Sequence, residues 1–247
     1  MTSVDSSVRA TRTPFFSRSD VRSLVITASL VLAFRWCVAS PYEVPTPSME
    51  PTIKVGDRVV GNHLAYRLRL PFTNVTLLTW AEPARGDIVI FASQTESGIN
   101  LVKRVVAVAG DTVSYRGDEL YINGERQALR DSDDDRSILA DATDHPDDKH
   151  LFREDLSGHW HWILHDQPYE RRFANWPEAG AAYVVPAGSV FVSGDNRDNS
   201  SDSRVFGAVP IDAVYGRATR IAWSAYVPDG RNWPALRFAR FGAALDG

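Results

Sequence analysis

Apolar positions fall into one long run near the start of the chain and then into many short ones. From Leu24 to Ala39 (LVITASLVLAFRWCVA) nearly every residue is apolar, with Arg35 the one charge. Extended to Val21–Ser40, the run makes a helix of about 30 Å, the thickness of a bilayer core, and predicts a single N-terminal transmembrane anchor. Arg9, Arg12, Arg18 and Arg22 flank its start against only Asp5 and Asp20. That bias predicts a cytoplasmic N-terminus, with everything after Ser40 on the far side. Arg35 can snorkel to the outer headgroups, and Trp36 suits the interface. A cleaved signal peptide would need a small-x-small site before a polar mature start, which is missing; a buried core helix is the other reading of so short a run.

Beyond Tyr42 the pattern changes to short Val- and Ile-rich runs punctuated by Gly, Pro, Asn and Asp, the signature of strands. They predict strands at Arg58–Gly61, Asp87–Phe91, Leu101–Ala109, Thr112–Tyr115, Glu119–Ile122, Trp160–His165, Ala182–Val185, Ser189–Ser193 and Tyr215–Trp223. Asn123-Gly124 supplies a tight hairpin turn. No amphipathic helix of ordinary length interleaves the strands, so a parallel α/β sheet is not expected. The fold class is therefore mainly β: an antiparallel sheet domain with a smaller inserted lobe, on one transmembrane helix. The boundaries expected are a tail at 1–20, the anchor at 21–40, a β domain at 41–126 and 187–225, the inserted lobe at 127–186, and a C-terminal tail at 226–247. Within the lobe, DSDDDRSILADATDHPDDKH is acidic and reads as a mobile, solvated loop, whereas HWHWILHDQ alternates like a half-buried strand.

Composition narrows the function. Hydrophobic residues at 44% supply a core, and 27 basic against 31 acidic residues give no concentrated positive surface for nucleic acid. The one cysteine, Cys37, excludes an intramolecular disulfide and a thiolate zinc cluster.

Three blocks carry candidate chemistry. In Val44-Pro45-Thr46-Pro47-Ser48-Met49-Glu50-Pro51 prolines on both sides stiffen the backbone around Ser48. Ser48 is then a poised nucleophile if a base is near, or part of a proline-rich stalk if none is. In Leu101-Val102-Lys103-Arg104-Val105-Val106-Ala107 alternation puts Lys103 on the face of Val105 and Ala107, with Arg104 opposite. A desolvated Lys103 needs to drop about three units, roughly 4 kcal/mol, to act as a base near neutral pH; the alternative is a lysine snorkelling to the sheet edge. The third block, Ser193-Gly194-Asp195-Asn196-Arg197-Asp198-Asn199-Ser200-Ser201-Asp202-Ser203-Arg204, packs turn-forming side chains that can fix a neighbouring strand, or form a soluble surface turn.

PTPSMEPT, RGDIVIF (Arg85–Phe91), VKRVVAVAGD and SGDNRDNSSDSRVFGAVP, in that order, resemble the successive motifs of bacterial-type signal peptidase I, a family of Ser/Lys membrane proteases. The resemblance runs from Arg35 to about Trp223. It implies Ser48 as nucleophile, Lys103 as general base, Ser200 as the hydroxyl orienting the lysine, and the Thr46 hydroxyl with the Ser48 N–H as oxyanion hole. Asp195, Arg197, Asp202 and Arg204 correspond to structural ion-pair and hydrogen-bond residues. Tyr42, Val44, Met49, Ile53, Leu101 and Val102 would lie around the nucleophile and line shallow pockets for small substrate side chains. No cofactor and no metal are implied. The implied partners are precursors bearing signal peptides and the lipid bilayer, and the implied place is the bacterial cytoplasmic membrane. Pro47 and Thr46 depart from the commoner glycine and serine without removing a donor, and the second membrane helix of some members is missing.

Other readings compete. An organellar or single-substrate processing peptidase of the same superfamily fits equally; a self-cleaving repressor lacks its helix-turn-helix here; and a membrane-tethered β binding module would make Ser48 and Lys103 merely structural. His159 and His161 share a strand face as a possible metal pair, but Trp160 and Trp162 favour a solvent-facing edge. Cys37 reads as lipid-facing. The sequons at Asn74 and Asn199 read as unoccupied. The tail Arg231–Phe241, with Trp233, Leu236, Phe238 and Phe241 among arginines, rests on the membrane or docks on the β domain.

Overall fold

The computed structural model describes residues 17–70, 73, 75–117, 119–132, 138, 149–166, 175–177, 182–227 and 234–245. Most of the acidic loop, the start of the N-terminal tail, Asn74, Arg231 and Trp233 lie outside the described residues. The described chain is mainly β, with every pairing between named strands antiparallel.

The apolar N-terminal run is helical, α1 at Arg18–Cys37, but the anchor drawn over Val21–Ser40 is not found as such. Among the described residues no helix is long and apolar enough to cross a membrane. Asp20 and Arg22 occupy its first turns and Arg35 its last, leaving an uncharged stretch from Ser23 to Phe34, about 18 Å of helix axis. The helix also stops short, because Ala39–Glu43 is drawn into strand β1 and pairs with β2 (Asp57–Asn62).

The strands that follow are β3 (Arg67–Arg69), β4 (Thr76–Thr79), β5 (Ile88–Ala92), β6 (Asn100–Val108), β7 (Thr112–Arg116), β8 (Glu119–Ile122), β9 (Glu125–Arg126), β10 (Leu129–Asp131), β11 (Lys149–Leu156), β12 (His159–Asp166), β13 (Asn175–Trp176), β14 (Tyr183–Val184), β15 (Ser189–Ser193), β16 (Val209–Pro210), β17 (Val214–Tyr226) and β18 (Ala235–Leu236). The main sheet has the order β1-β2-β17-β5-β6-β15-β16, with β18 added beside β17. Smaller sheets are formed by β10-β11-β12, by β7 to β9 with β13 and β14, and by β3-β4. Asn123 (φ 55°) and Gly124 (φ 81°) form the expected tight turn between β8 and β9, since both positions of such a turn need positive φ.

In the nine-residue strand β6 alternation is broken by a register shift opposite Phe191 and Val192. Val105 packs with Val89, Phe91 and Val192, while Val106 and Ala107 both join Phe191 and Leu120 in another cluster. Lys103 and Ala107 therefore do not share one simple face, as unbroken alternation requires.

The C-terminal tail docks on the β domain. Arg240 binds both oxygens of the fully buried Asp57 and the carbonyl of Thr52 (3.0 Å). Leu245 is buried in the cluster of Val44, Met49, Ile53 and Val102. Phe238 nonetheless stays 70% exposed.

The histidine-rich strand β12 corrects another expectation. Trp160 and Trp162 lie half-buried beneath the guanidinium groups of Arg130 and Arg153, but His161 faces inward, 2% exposed, beside Glu154. The tryptophans thus lie partly exposed on the edge strand of their sheet, with an arginine over each ring, and it is the buried His161 that departs from a solvent-facing strand. Among the described residues no group of three or more His, Cys, Asp or Glu is arranged to hold a metal ion.

Candidate active site

Ser48 sits in a short 3-10 turn, Pro47–Met49, separated from the end of β1 by three residues. Proline at its first position has no N–H to leave unpaired and already holds the φ the turn needs. Met49 and Ile53, both 0% exposed, pin the turn into the core formed with Val59, Ile88 and Val102. From the far side Asn196 closes on the same turn. Its N–H donates to the Ser48 carbonyl and its Nδ2 to the Pro47 carbonyl, each at 3.1 Å. The nucleophile candidate is therefore held by packing below and by two hydrogen bonds above.

Lys103 lies in the middle of β6, opposite Val89 of β5. The chain of β15 leaves the sheet beside it, after Ser193 opposite Arg104. Lys103 is 3% exposed, and its Nζ is hydrogen-bonded to Ser48 Oγ. Burial pulls the lysine pKa down to about 8, against the opposing pull of the Asp202 and Asp195 carboxylates. A primary amine touching a serine hydroxyl and titrating near neutrality is the pairing a nucleophile and its base require. Thr46 Oγ1 stands 3.3 Å from Ser48 Oγ, on the exposed rim of the turn.

Three buried ion pairs brace the loop after β15. Arg104 grips Asp195 with two bonds (2.9 and 2.8 Å), and both residues are 1% exposed. Thr52 Oγ1 adds a bond to Asp195 Oδ2 at 2.6 Å. Burial works to raise the Asp195 pKa, but the Arg104 charge and these hydrogen bonds hold it below the ordinary value. Arg204 binds Asp202 through Nε (2.8 Å) and NH2 (2.7 Å) at the start of a one-turn helix, α2 (Ser203–Phe206), and Asp202 also accepts the Gly194 N–H at 2.9 Å. Arg197 makes a two-pronged pair with Glu154 of β11. In a dry interior a carboxylate is kept charged only by such pairing.

The Ser200 hydroxyl is buried, but among the described residues its Oγ makes no hydrogen bond, so the expected contact orienting the Lys103 amine is not formed. It lies against Gly194, where an added Cβ would stand 2.3 Å from Ser200 Oγ and 2.4 Å from the Ser48 carbonyl oxygen. Tyr42, Val44, Met49, Ile53 and Val102 gather in one cluster, whereas Leu101, the next residue along β6, packs against the opposite one. Sequence reasoning missed the work of Gly194, Asn196, Arg104, Thr52 and Glu154. The first four lie inside the quoted motifs, whereas Glu154 lies in none of them and meets Arg197 across 43 residues, which no local pattern encodes.

A family model described as signal peptidase, peptidase S26, matches residues 17–223. Signal peptidase I of Pseudomonas aeruginosa is 34% identical over 224 residues, covering 86% of this chain and 74% of that one. Signal peptidase I of Aquifex aeolicus is 31% identical over 235 residues, covering 85% and 86%. A solved structure of a signal peptidase I from Enterococcus faecalis shares 29% identity over 57% of this chain and 100% of its own, with a TM-score of 0.34.

Proposed function

The chain belongs to the signal peptidase family, peptidase S26, and on that premise we propose that it is a membrane-attached serine endopeptidase removing N-terminal signal peptides with a Ser48–Lys103 pair. The contact between Lys103 Nζ and Ser48 Oγ carries the reading. Neutral Lys103 accepts the Ser48 proton as Oγ attacks the scissile carbonyl, and the carbonyl π-electrons move onto its oxygen. The Ser48 N–H and the Thr46 hydroxyl receive that charge, a contribution of about 3 kcal/mol per well-aimed donor. Protonated Lys103 then gives its proton to the leaving amine and, neutral again, activates water to release the acyl group. The roles match those of a triad with one residue serving as base and acid. Small side chains before the cut, of the Ala-x-Ala type, are the proposed specificity, with Val44 and Val102 beside the Ser48 turn as candidate walls; Met49 and Ile53 are fully buried and do not line a surface pocket.

Attachment to the membrane is supported by α1. Every side chain from Val21 to Leu32 is exposed, Leu24 at 68% and Leu30 at 66%, and a helix apolar on all faces needs surroundings other than water. Arg22 and Arg35 lie thirteen residues apart, about 20 Å of axis, so snorkelling at both ends lets the helix sit in lipid despite its charges. The arginines around the start of the helix support a cytoplasmic side for that end of it.

Covalent labelling is the direct test. A penem-type acylating probe should give a mass shift mapped to Ser48, and Ser48→Ala should lose both label and precursor cleavage; cleavage surviving in that variant would refute the nucleophile. The pH profile provides a second check. With a lysine pKa near 8, roughly a tenth of the enzyme holds a neutral base at pH 7. The kcat/KM for a precursor should therefore rise about tenfold per unit below pH 8 and level off above it. A flat profile between pH 6 and 9 would contradict the assignment of Lys103.

A further inference from the structure

The loop that clamps Ser48 is itself held by a hairpin, β11–β12, that the chemistry above does not use. Leu164 N–H donates to the Asp195 carbonyl (2.8 Å) and Arg197 N–H to the Leu164 carbonyl (2.9 Å), so β12 runs alongside residues 195–197. Asp198 closes the far end by accepting His165 Nδ1 and the Asp166 N–H, both at 3.0 Å. From β11, Glu154 engages both ends of the Arg197 guanidinium, and each of the two residues is 1% exposed. His161 Nε2 stands 3.4 Å from the same carboxylate. On its other side the Arg197 carbonyl accepts Arg204 NH2 at 2.7 Å.

Asn196 is caught between these supports. It is fully buried, and its two donors reach the carbonyls before and after the Ser48 α-carbon, those of Pro47 and Ser48. A buried ion pair contributes little net stability relative to well-packed apolar residues, so its value lies in fixing geometry. We propose that Glu154 is a positioning residue for the reaction: by anchoring Arg197 it sets Asn196 against the Pro47 and Ser48 carbonyls, and through them aims the Ser48 hydroxyl at Lys103. This rests on Ser48 and Lys103 being the reacting pair.

The test uses the full chain and a signal-peptide precursor, with kcat and KM measured separately well below each variant's unfolding midpoint. Glu154→Gln should lower kcat about 10- to 100-fold, the scale of an ångström of misalignment, with KM within about threefold. Glu154→Asp, which keeps the charge, should recover part of the loss. The double variant Glu154→Leu/Arg197→Met removes the ion pair without stranding a charge; it should regain the unfolding midpoint and keep the low kcat. A kcat within about threefold of the parent in Glu154→Gln, or a parent-like kcat in the double variant, overturns the proposal. Cleavage by Ser48→Ala sinks the underlying reading instead, whatever Glu154 does.

Discussion

Lys103→Met is expected to lower precursor kcat/KM by at least about 10⁴-fold while making the domain more stable at neutral pH. The loss follows from removing the base in contact with Ser48 Oγ, since reacting groups that act as a unit fail together. Lys103→Arg should be as inactive, because guanidinium does not lose its proton at any working pH. The gain in stability has the opposite origin. The unfolded chain binds the lysine proton with the ordinary value of 10.5, and the folded chain only to about 8, because burial disfavours the cation. Below pH 8 the unfolded state thus holds the proton more tightly, and the fold carries the whole penalty, roughly 3 kcal/mol for such a difference. As pH climbs from 8 towards 10.5 the penalty fades. Urea midpoints at pH 7 and pH 10 check the sign: Met should raise the midpoint at pH 7 and lose most of that advantage at pH 10. A Met variant retaining more than about a hundredth of the cleavage would remove the lysine from the mechanism.

The strands that the sequence announces are those whose side chains alternate against the core. Arg58–Gly61, Ser189–Ser193 and Glu119–Ile122 match β2, β15 and β8 within a residue at each end, because Val and Ile on a pleated face signal themselves locally. The strand β11, KHLFREDL, escaped notice for a physical reason: its charges are matched across the fold rather than hydrated. Glu154 looks like a surface carboxylate until Arg197 is placed beside it. The strand β1 was hidden by the apolar run preceding it, where hydrophobicity cannot separate the end of a helix from the start of an edge strand. At the site, Ser48 and Lys103 were legible because prolines and a strand lysine break their local patterns. Their contact was not, since it spans 55 residues and depends on Asn196 and on the buried pair of Arg104 with Asp195. Motif order says which residues belong together; packing alone says which atoms touch.

A single methyl group at position 194 is the other change expected to be severe. Gly194→Ala should reduce kcat/KM about 100-fold or more and destabilise the domain by about 1–3 kcal/mol. Ordinary glycine arguments do not apply, because the constraint here is close approach rather than a left-handed backbone. An added Cβ would meet the Ser48 carbonyl oxygen at 2.4 Å and Ser200 Oγ at 2.3 Å, distances that force something to move. Ser200 can rotate, but the Ser48 carbonyl is backbone held by the Asn196 N–H at 3.1 Å. Position 194 cannot withdraw either, with its own N–H bound to Asp202 at 2.9 Å. The displacement therefore falls on the turn carrying Ser48 and shifts its hydroxyl relative to Lys103. Gly98→Ala provides the contrast: its φ is +81° with nothing within 4 Å of the new Cβ, so it should carry backbone strain of about 1 kcal/mol and leave cleavage intact. If Gly194→Ala cleaves within about threefold of the parent, the Ser48 carbonyl yields freely and the turn is not held as tightly as its contacts require.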